Sequence, residues 1–132
     1  MNSILIIAHT PLASALKSAA LHAFPDAASR VDAIDVLPDQ SPESTLDAAR
    51  QLLVMERSAG RAGTLVLSDV FGATPCNVAQ KLAQSAGSTH VKCIAGASLP
   101  MLLRAITYWD TPLAEMAEKA VAGGSQGAME LV

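Results

Sequence analysis

The first residue of the chain suited to chemistry is His9. It directly follows the apolar run Ile4–Ala8 and precedes Thr10 and Pro11, a pair typical of a helix start. In α/β proteins, reactive groups are commonly placed where a buried strand ends. Free N–H groups and the helix dipole favour negative charge at a helix N-terminus, so an imidazole there is suited to meet a phosphate. On its own, His9 fits equally well as a hydrogen-bonded histidine at a strand end.

A second group of polar residues lies in the loop at positions 69 to 77. Asp69 follows an apolar stretch, and Gly72 allows a backbone conformation or a close approach that a side chain would obstruct. Thr74 stands before a proline, as Thr10 does. This repeat predicts two helix N-termini, each capped by its threonine, that converge on one pocket.

Together these residues predict a phosphoryl-transfer site, with His9 as the nucleophile. Asp69 would accept a hydrogen bond from the other ring nitrogen and so fix the tautomer. The Asn77 amide either braces the loop or belongs to an ordinary polar residue early in a helix. The scheme requires no metal and no cofactor. The residues predicted to contact the phosphate, with nearby backbone amides, are Thr10, Gly72 and Thr74.

Two other classes of function are compatible with parts of this pattern. Cys76 stands near a helix start and could complete a thiol hydrolase site with His9 and Asp69. A binding module is the second alternative, either for a nucleotide or as a receiver phosphorylated on Asp69. A receiver would need an acidic cluster after the first strand, where this chain has His9 and Thr10, and no glycine-rich nucleotide loop is present.

The elements that must position these residues alternate between strand and helix. Asp110 is interpreted as a cap for the last helix. The segment Ala128–Val132 is a candidate for a short final antiparallel strand. Apolar runs predict strands at Ser3–Ala8, Val31–Val36, Thr64–Ser68 and His90–Ala95. Helical periodicity predicts helices at Pro11–Phe24, from Pro42 after the cap Ser41 to just before Gly60, and at Pro75–Ala86, Pro100–Thr107 and Pro112–Ala122.

This alternation predicts a doubly wound α/β fold with a mainly parallel four-stranded sheet and helices on both faces. We expect the strand order 2-1-3-4, which places strands 1 and 3 side by side at the switch point. His9 and Asp69 would then be neighbours in space. At 132 residues, the chain is expected to form a single domain spanning residues 1–132.

Composition narrows the class of protein further. The formal net charge is −3 and the basic residues are scattered, so we expect no nucleic-acid partner. No apolar stretch approaches the roughly 18 residues of a membrane span, and we expect no membrane insertion. Cys76 and Cys93 match no zinc or redox spacing and are interpreted as free thiols of a cytoplasmic protein.

The chain resembles a known family in three places. These are the strand-end His9, the loop Asp69-x-x-Gly72-x-Thr74-Pro75-x-Asn77, and the segment of residues 94–102, which reads Ile-Ala-Gly-Ala-Ser-Leu-Pro-Met-Leu. This combination is similar to the mannose-type (mannose/fructose/sorbose) enzyme IIA components of the bacterial phosphoenolpyruvate:sugar phosphotransferase system. The likeness covers essentially the whole chain, and the loop is its most specific part.

The resemblance implies a phosphotransferase that works through a phosphohistidine. His9 would accept a phosphoryl group from the phosphocarrier protein HPr and pass it to a IIB component for sugar uptake, or serve as a regulatory phosphoprotein. Asp69 would orient the histidine, and Thr74 would supply the loop hydroxyl near the phosphate. The resemblance also implies a homodimer that exchanges a C-terminal strand, which would be Ala128–Val132 here.

Two positions depart from the family pattern. Thr10 follows the histidine where many members have glycine, which reduces the room for the backbone at the site. Ser98 stands where members commonly have asparagine before the Leu-Pro-Met segment, so a contact made by that amide would be weakened or lost.

Overall fold

The chain folds around a four-stranded parallel sheet in the order β2-β1-β3-β4. A computed structural model describes all of residues 1–132. The predicted α/β class, strand order and parallel pairing are confirmed. The strands are β1 (Ser3–His9), β2 (Val31–Val36), β3 (Thr64–Ser68) and β4 (Val91–Ile94).

Five α-helices and one 3-10 helix connect the strands and cover both faces of the sheet. One apolar cluster joins the sheet to the first, fourth and fifth helices, and a second joins it to the second and third. The helices are α1 (Leu12–Ala23), the 3-10 helix Pro25–Ser29, α2 (Pro42–Ser58), α3 (Thr74–Ala86), α4 (Leu99–Thr107) and α5 (Leu113–Gln126).

The central strand β1 is buried on both faces, which explains its unbroken apolar sequence. Ile4 and Ile6 belong to the cluster under α1, α4 and α5, whereas Leu5 and Ile7 belong to the cluster under α2 and α3. All of its residues from Ser3 to Ala8 are buried, and His9 is the first exposed one. The strand therefore delivers His9 to the surface on a rigid support.

The helix starts differ in part from the prediction. Ser41 caps α2 as expected, because its hydroxyl accepts a hydrogen bond from the Ser44 N–H at 3.1 Å. Neither threonine caps a helix. The N-cap of α3 is Ala73, so Thr74 is already helical, and no side chain caps this helix. Thr10 instead extends the sheet, donating its N–H to the Val36 carbonyl at 3.1 Å.

The single chain differs from two expectations near the C-terminus. Residues 128–132 form no strand in the single chain, since no neighbouring strand lies beside them, and they are exposed. Asp110 does not cap α5, whose N-cap is Pro112. The Asp110 carboxylate instead accepts hydrogen bonds from the N-terminal amino group and the Arg30 guanidinium.

The last helix also extends beyond its predicted end. α5 continues to Gln126, through glycines that a sequence pattern treats as a flexible tail. A Cβ at Gly123 would lie 2.6 Å from the Cβ of Arg104, and one at Gly127 would lie 2.5 Å from the Cβ of Pro100. The glycines therefore serve close packing of α5 on α4.

Candidate phosphoryl-transfer site

His9 and Asp69 meet where the neighbouring strands β1 and β3 end. The strands pair in parallel, with Ile7 opposite Ser68, so the residues that follow emerge side by side. Asp69 Oδ2 accepts a hydrogen bond from the His9 backbone N–H at 2.9 Å and lies 2.7 Å from His9 Nδ1. One carboxylate oxygen thus holds both the backbone and the ring of His9. The predicted juxtaposition is confirmed.

The two side chains differ in exposure and therefore in the roles open to them. The His9 side chain is 54% exposed, whereas that of Asp69 is 8% exposed. Burial opposes ionisation of Asp69, but hydrogen bonds from the His9 backbone and ring and from the Val70 N–H outweigh it and hold its pKa below the usual value. Asp69 is therefore an ionised carboxylate that accepts a hydrogen bond from Nδ1–H, leaving the Nε2 lone pair free.

The loop after Asp69 is fixed at its start. Asp69 Oδ1 accepts the Val70 N–H at 2.8 Å, and the Asp69 carbonyl accepts the Gly96 N–H at 2.8 Å. Gly72 has φ +91°, a conformation that favours glycine, as the sequence predicts. The N–H groups of Phe71 and Gly72 have no protein acceptor. The first turn of α3 adds N–H groups without intrahelical partners, so free donors surround this edge.

The structure places the other predicted residues in the same region without linking their side chains to His9. Thr10 is exposed and its hydroxyl makes no hydrogen bond. Thr74 and Asn77 line a cleft of about 160 Å³ between α2 and α3, which Glu43 also lines. Asn77 donates its backbone N–H to the Ala73 carbonyl at 3.0 Å, but its side-chain amide bonds nothing.

Asp35 is a structural residue of this region whose role the sequence did not reveal. Its carboxylate accepts hydrogen bonds from the N–H and the hydroxyl of Ser14, in the first turn of α1. It lies opposite Ala8 in the sheet, one position before His9. The start of α1 is therefore anchored by a carboxylate from β2 instead of by Thr10.

The geometry disfavours both alternative chemistries. Cys76 is 2% exposed and makes no hydrogen bond with His9, so the structure assembles no thiol triad. Asp69 is occupied by the bonds from His9 and Val70, which leaves neither oxygen free as in a receiver. No three His, Cys, Asp or Glu side chains gather where they could hold a metal ion, and no helix has the length and apolarity needed to cross a membrane.

Three solved structures with the same fold are all described as IIA proteins or components. The phosphotransferase system component EIIA from Streptococcus agalactiae is 22% identical over 98% of this chain and 97% of its own, with a TM-score of 0.80. The IIA protein associated with the fucose utilization operon of Streptococcus pneumoniae is 20% identical, with a TM-score of 0.83 over 98% and 93%. The mannose/sorbose-specific IIA subunit from Enterococcus faecalis is 21% identical, with a TM-score of 0.82 over 99% and 95%.

At these identities the structural likeness establishes the fold. No protein of curated function matches the sequence significantly. A sequence model of one family, however, covers residues 3–121, which include both strand ends and the loop between β3 and α3. The chain therefore belongs to the EIIA-man family, the fructose IIA components of the phosphotransferase system.

Proposed function

We propose that this protein is a phosphoryl carrier that accepts a phosphoryl group on His9 from HPr and passes it to a IIB component. The observation that carries the proposal is the double contact of Asp69 Oδ2 with the His9 N–H and Nδ1. A buried carboxylate thus holds an exposed imidazole in one orientation, with Nε2 towards solvent. This is the arrangement that a histidine needs to exchange a group with another protein.

The chemistry consists of two displacements at phosphorus. The Nε2 lone pair of His9 attacks the phosphoryl group of the donor, the P–N bond to the donor histidine breaks, and the electron pair returns to that ring. In the second step a nucleophile of the acceptor attacks, the P–Nε2 bond breaks, and its electron pair returns to His9. The proton stays on Nδ1 throughout, hydrogen-bonded to Asp69 Oδ2, and the negative charge of Asp69 stabilises the positive charge on the ring.

The phosphoryl oxygens need donors during both steps. The N–H groups of Phe71 and Gly72 have no protein acceptor, and the first turn of α3 adds further unpaired donors. We assign phosphate binding to these amides together with Thr10, Gly72 and Thr74. Asn77 would brace the loop once the phosphoryl group is present.

Exposed apolar side chains beside the site support a protein as donor and acceptor. Phe71 is 76% exposed and Val70 is 58% exposed, both on the loop that holds Asp69. Leu37 is 51% exposed and follows Val36, whose carbonyl binds the Thr10 N–H. Exposed aromatic residues are typical anchors of protein interfaces. The two free thiols of Cys76 and Cys93 fit a cytoplasmic location.

The test is phosphorylation of the purified chain with phosphoenolpyruvate, enzyme I and HPr. We expect one acid-labile phosphate per chain in the wild type and none in His9→Gln. The matched controls are His22→Gln and His90→Gln, which alter the other two histidines and should leave incorporation unchanged. Labelling of the His9→Gln protein at the wild-type level would refute the proposal. Heteronuclear NMR of the phosphorylated chain should show phosphorus bonded to Nε2.

We further propose that two copies associate through the open edge of β4. A groove of about 1140 Å³ runs along this edge between α3 and α5, with Val91, Ile94 and Val121 among its apolar residues. The C-terminal segment carries Met129 and Leu131, which are 66% and 85% exposed. An unpaired strand edge binds an added strand readily, so residues 128–132 of one copy would pair with β4 of the other.

Sedimentation equilibrium tests this association. The full chain should be a dimer at micromolar concentration, and a chain that ends at Gly127 should be a monomer. A full-length chain with Met129→Ser and Leu131→Ser separates the loss of apolar side chains from the loss of chain length. We expect it to dimerise more weakly than the wild type. A shortened chain that remains a dimer would exclude the C-terminal segment as the joining element.

A further inference from the structure

A second cavity lies at the opposite end of the sheet from His9. It has a volume of about 250 Å³ and lies between α2 and α3. Its lining includes Thr64 and Val91, the first residues of β3 and β4, whereas His9 is the last residue of β1. Because the strands are parallel, their first residues lie at one end of the sheet and their last residues at the other. The cavity is therefore separate from the candidate phosphoryl-transfer site.

The lining of this cavity is cationic. Arg50, Arg57 and Arg61 line it together with His90, and none of its lining residues is acidic. The chain as a whole has 12 acidic residues against 9 lysines and arginines, and three of its five arginines are gathered here. The cavity thus differs in charge from the rest of an acidic protein.

Most donors of these arginines have no partner in the protein. The side chain of Arg57 makes no ion pair or hydrogen bond, and that of Arg50 approaches only Asp47, at 3.9 Å. Arg61 donates its Nε to Glu56 at 3.1 Å, which leaves its two terminal nitrogens free. Guanidinium groups with free donors match the oxygens of a phosphate or carboxylate.

The helix dipole does not account for all of these cations. Arg57 lies in the last turn of α2, where a positive charge complements the helix C-terminus. Arg50 lies about two turns before it, beyond the reach of that end, and on the same face of the helix. The end of α2 therefore does not explain why Arg50 joins the other two arginines at the cavity.

The remaining walls are apolar and the cavity is small. Leu82 and Val91 are buried, and Leu53 adds a further apolar wall. The volume lies just below the ~300–1,000 Å³ of cavities that hold drug-sized ligands. We propose that this cavity binds a small organic phosphate, with its phosphate against Arg50 and Arg57 and its apolar body against Leu53 and Leu82. The assignment does not depend on the function proposed for His9.

The test is a titration of the full chain with phenyl phosphate, followed by amide NMR. The amides of Ser85 and His90 report on this cavity, and those of Gly72 and Thr74 report on the phosphoryl-transfer site. We expect saturable shifts at Ser85 and His90, and affinity about tenfold lower in Arg50→Gln and in Arg57→Gln, each of which removes one charged donor. Arg57→Lys, which keeps the charge but loses the fork, should give an intermediate affinity.

Matched controls separate this site from general attraction of anions. Arg104→Gln removes an arginine outside the cavity and should bind phenyl phosphate as the wild type does. Inorganic phosphate should bind several-fold more weakly than phenyl phosphate, because it leaves the apolar walls uncovered. Shifts confined to Gly72 and Thr74, an equal loss of affinity in Arg104→Gln, or equal affinity for the two phosphates would overturn the assignment.

Discussion

At the scale of single residues, Asp69 shows how one side chain can do several tasks. Its Oδ2 accepts both the backbone N–H and the ring nitrogen of His9, and its Oδ1 accepts the Val70 N–H. It therefore fixes the strand end, the imidazole tautomer and the start of the loop together. Its burial makes these bonds stronger than they would be in water.

Asp69→Asn should separate the orienting role from the structural one. The asparagine oxygen can still accept the His9 N–H, so the fold should persist. The bond to Nδ1 loses its charge assistance, worth roughly 1.5–3 kcal/mol, so transfer from phosphorylated HPr should slow by about 10- to 150-fold. Rapid-quench measurement of a single turnover checks this.

The control for this prediction is Asp39→Asn, which neutralises an aspartate that has no ion pair or side-chain hydrogen bond. Its transfer rate should equal that of the wild type. Equal rates for Asp69→Asn and the wild type would remove Asp69 from the transfer step.

At the scale of elements, buried hydroxyl groups of the sheet differ in whether they have a hydrogen-bond partner. Ser3 and Thr64 hydrogen-bond each other at 2.8 Å across β1 and β3. Ser68, at the end of β3, is fully buried and its hydroxyl has no partner. The same type of side chain is thus satisfied at one end of the strand pair and unsatisfied at the other.

Alanine substitutions should therefore act in opposite directions at the two ends. Ser3→Ala leaves the Thr64 hydroxyl buried without a partner and should lower the free energy of unfolding by about 1–3 kcal/mol. Ser68→Ala removes an unpaired group and should leave the free energy unchanged or raise it by up to about 1 kcal/mol. Urea unfolding of both variants measures the difference. A loss in Ser68→Ala as large as that in Ser3→Ala would contradict this account.

The elements also show where sequence patterns succeed. β2 and β3 were predicted with their observed bounds, because apolar runs between turn residues are a local signal. The caps at Thr10 and Thr74 were predicted wrongly, because a side chain only caps when the helix begins at the next residue. That start is decided by packing against the sheet, and here by Asp35 of β2 for α1.

At the scale of the whole molecule, stability depends on pH through groups that lie on different elements. Asp32 of β2 lies beside Glu56 of α2, and burial, followed by the hydrogen bond and charge of Glu56, raises its pKa to about 6, although Lys17 opposes the rise. Since the ordinary value is 3.8, the folded state binds more protons between about pH 4 and pH 6. The extra protons bound by the folded state add to its stability. This added stability is fully present below pH 4 and is lost as the pH rises through 6.

Asp32→Asn should consequently stabilise the protein at neutral pH. At pH 7.5 we expect a gain of roughly 1 kcal/mol, a figure reduced because solvent screens the partly exposed carboxyl. Near pH 4 the gain should vanish, since Asp32 is then protonated in the folded wild type. Thermal unfolding across this pH range checks the prediction, with Asp39→Asn as the control. A gain that is the same at both pH values would show that the charge of Asp32 is not its cause.

By itself, the sequence determined the alternation of strands and helices, the parallel order of the sheet, and the meeting of His9 with Asp69. These follow from apolar periodicity and from the rule that parallel strands end at one edge. The tertiary structure alone decided that Asp35 anchors α1 and that the C-terminal segment lies unpaired. It also decided that Nδ1 of His9 is the nitrogen that hydrogen-bonds Asp69. It also gathered the arginines of α2 with His90 around one cavity. Such contacts depend on distances between residues far apart in the chain, which no local pattern encodes.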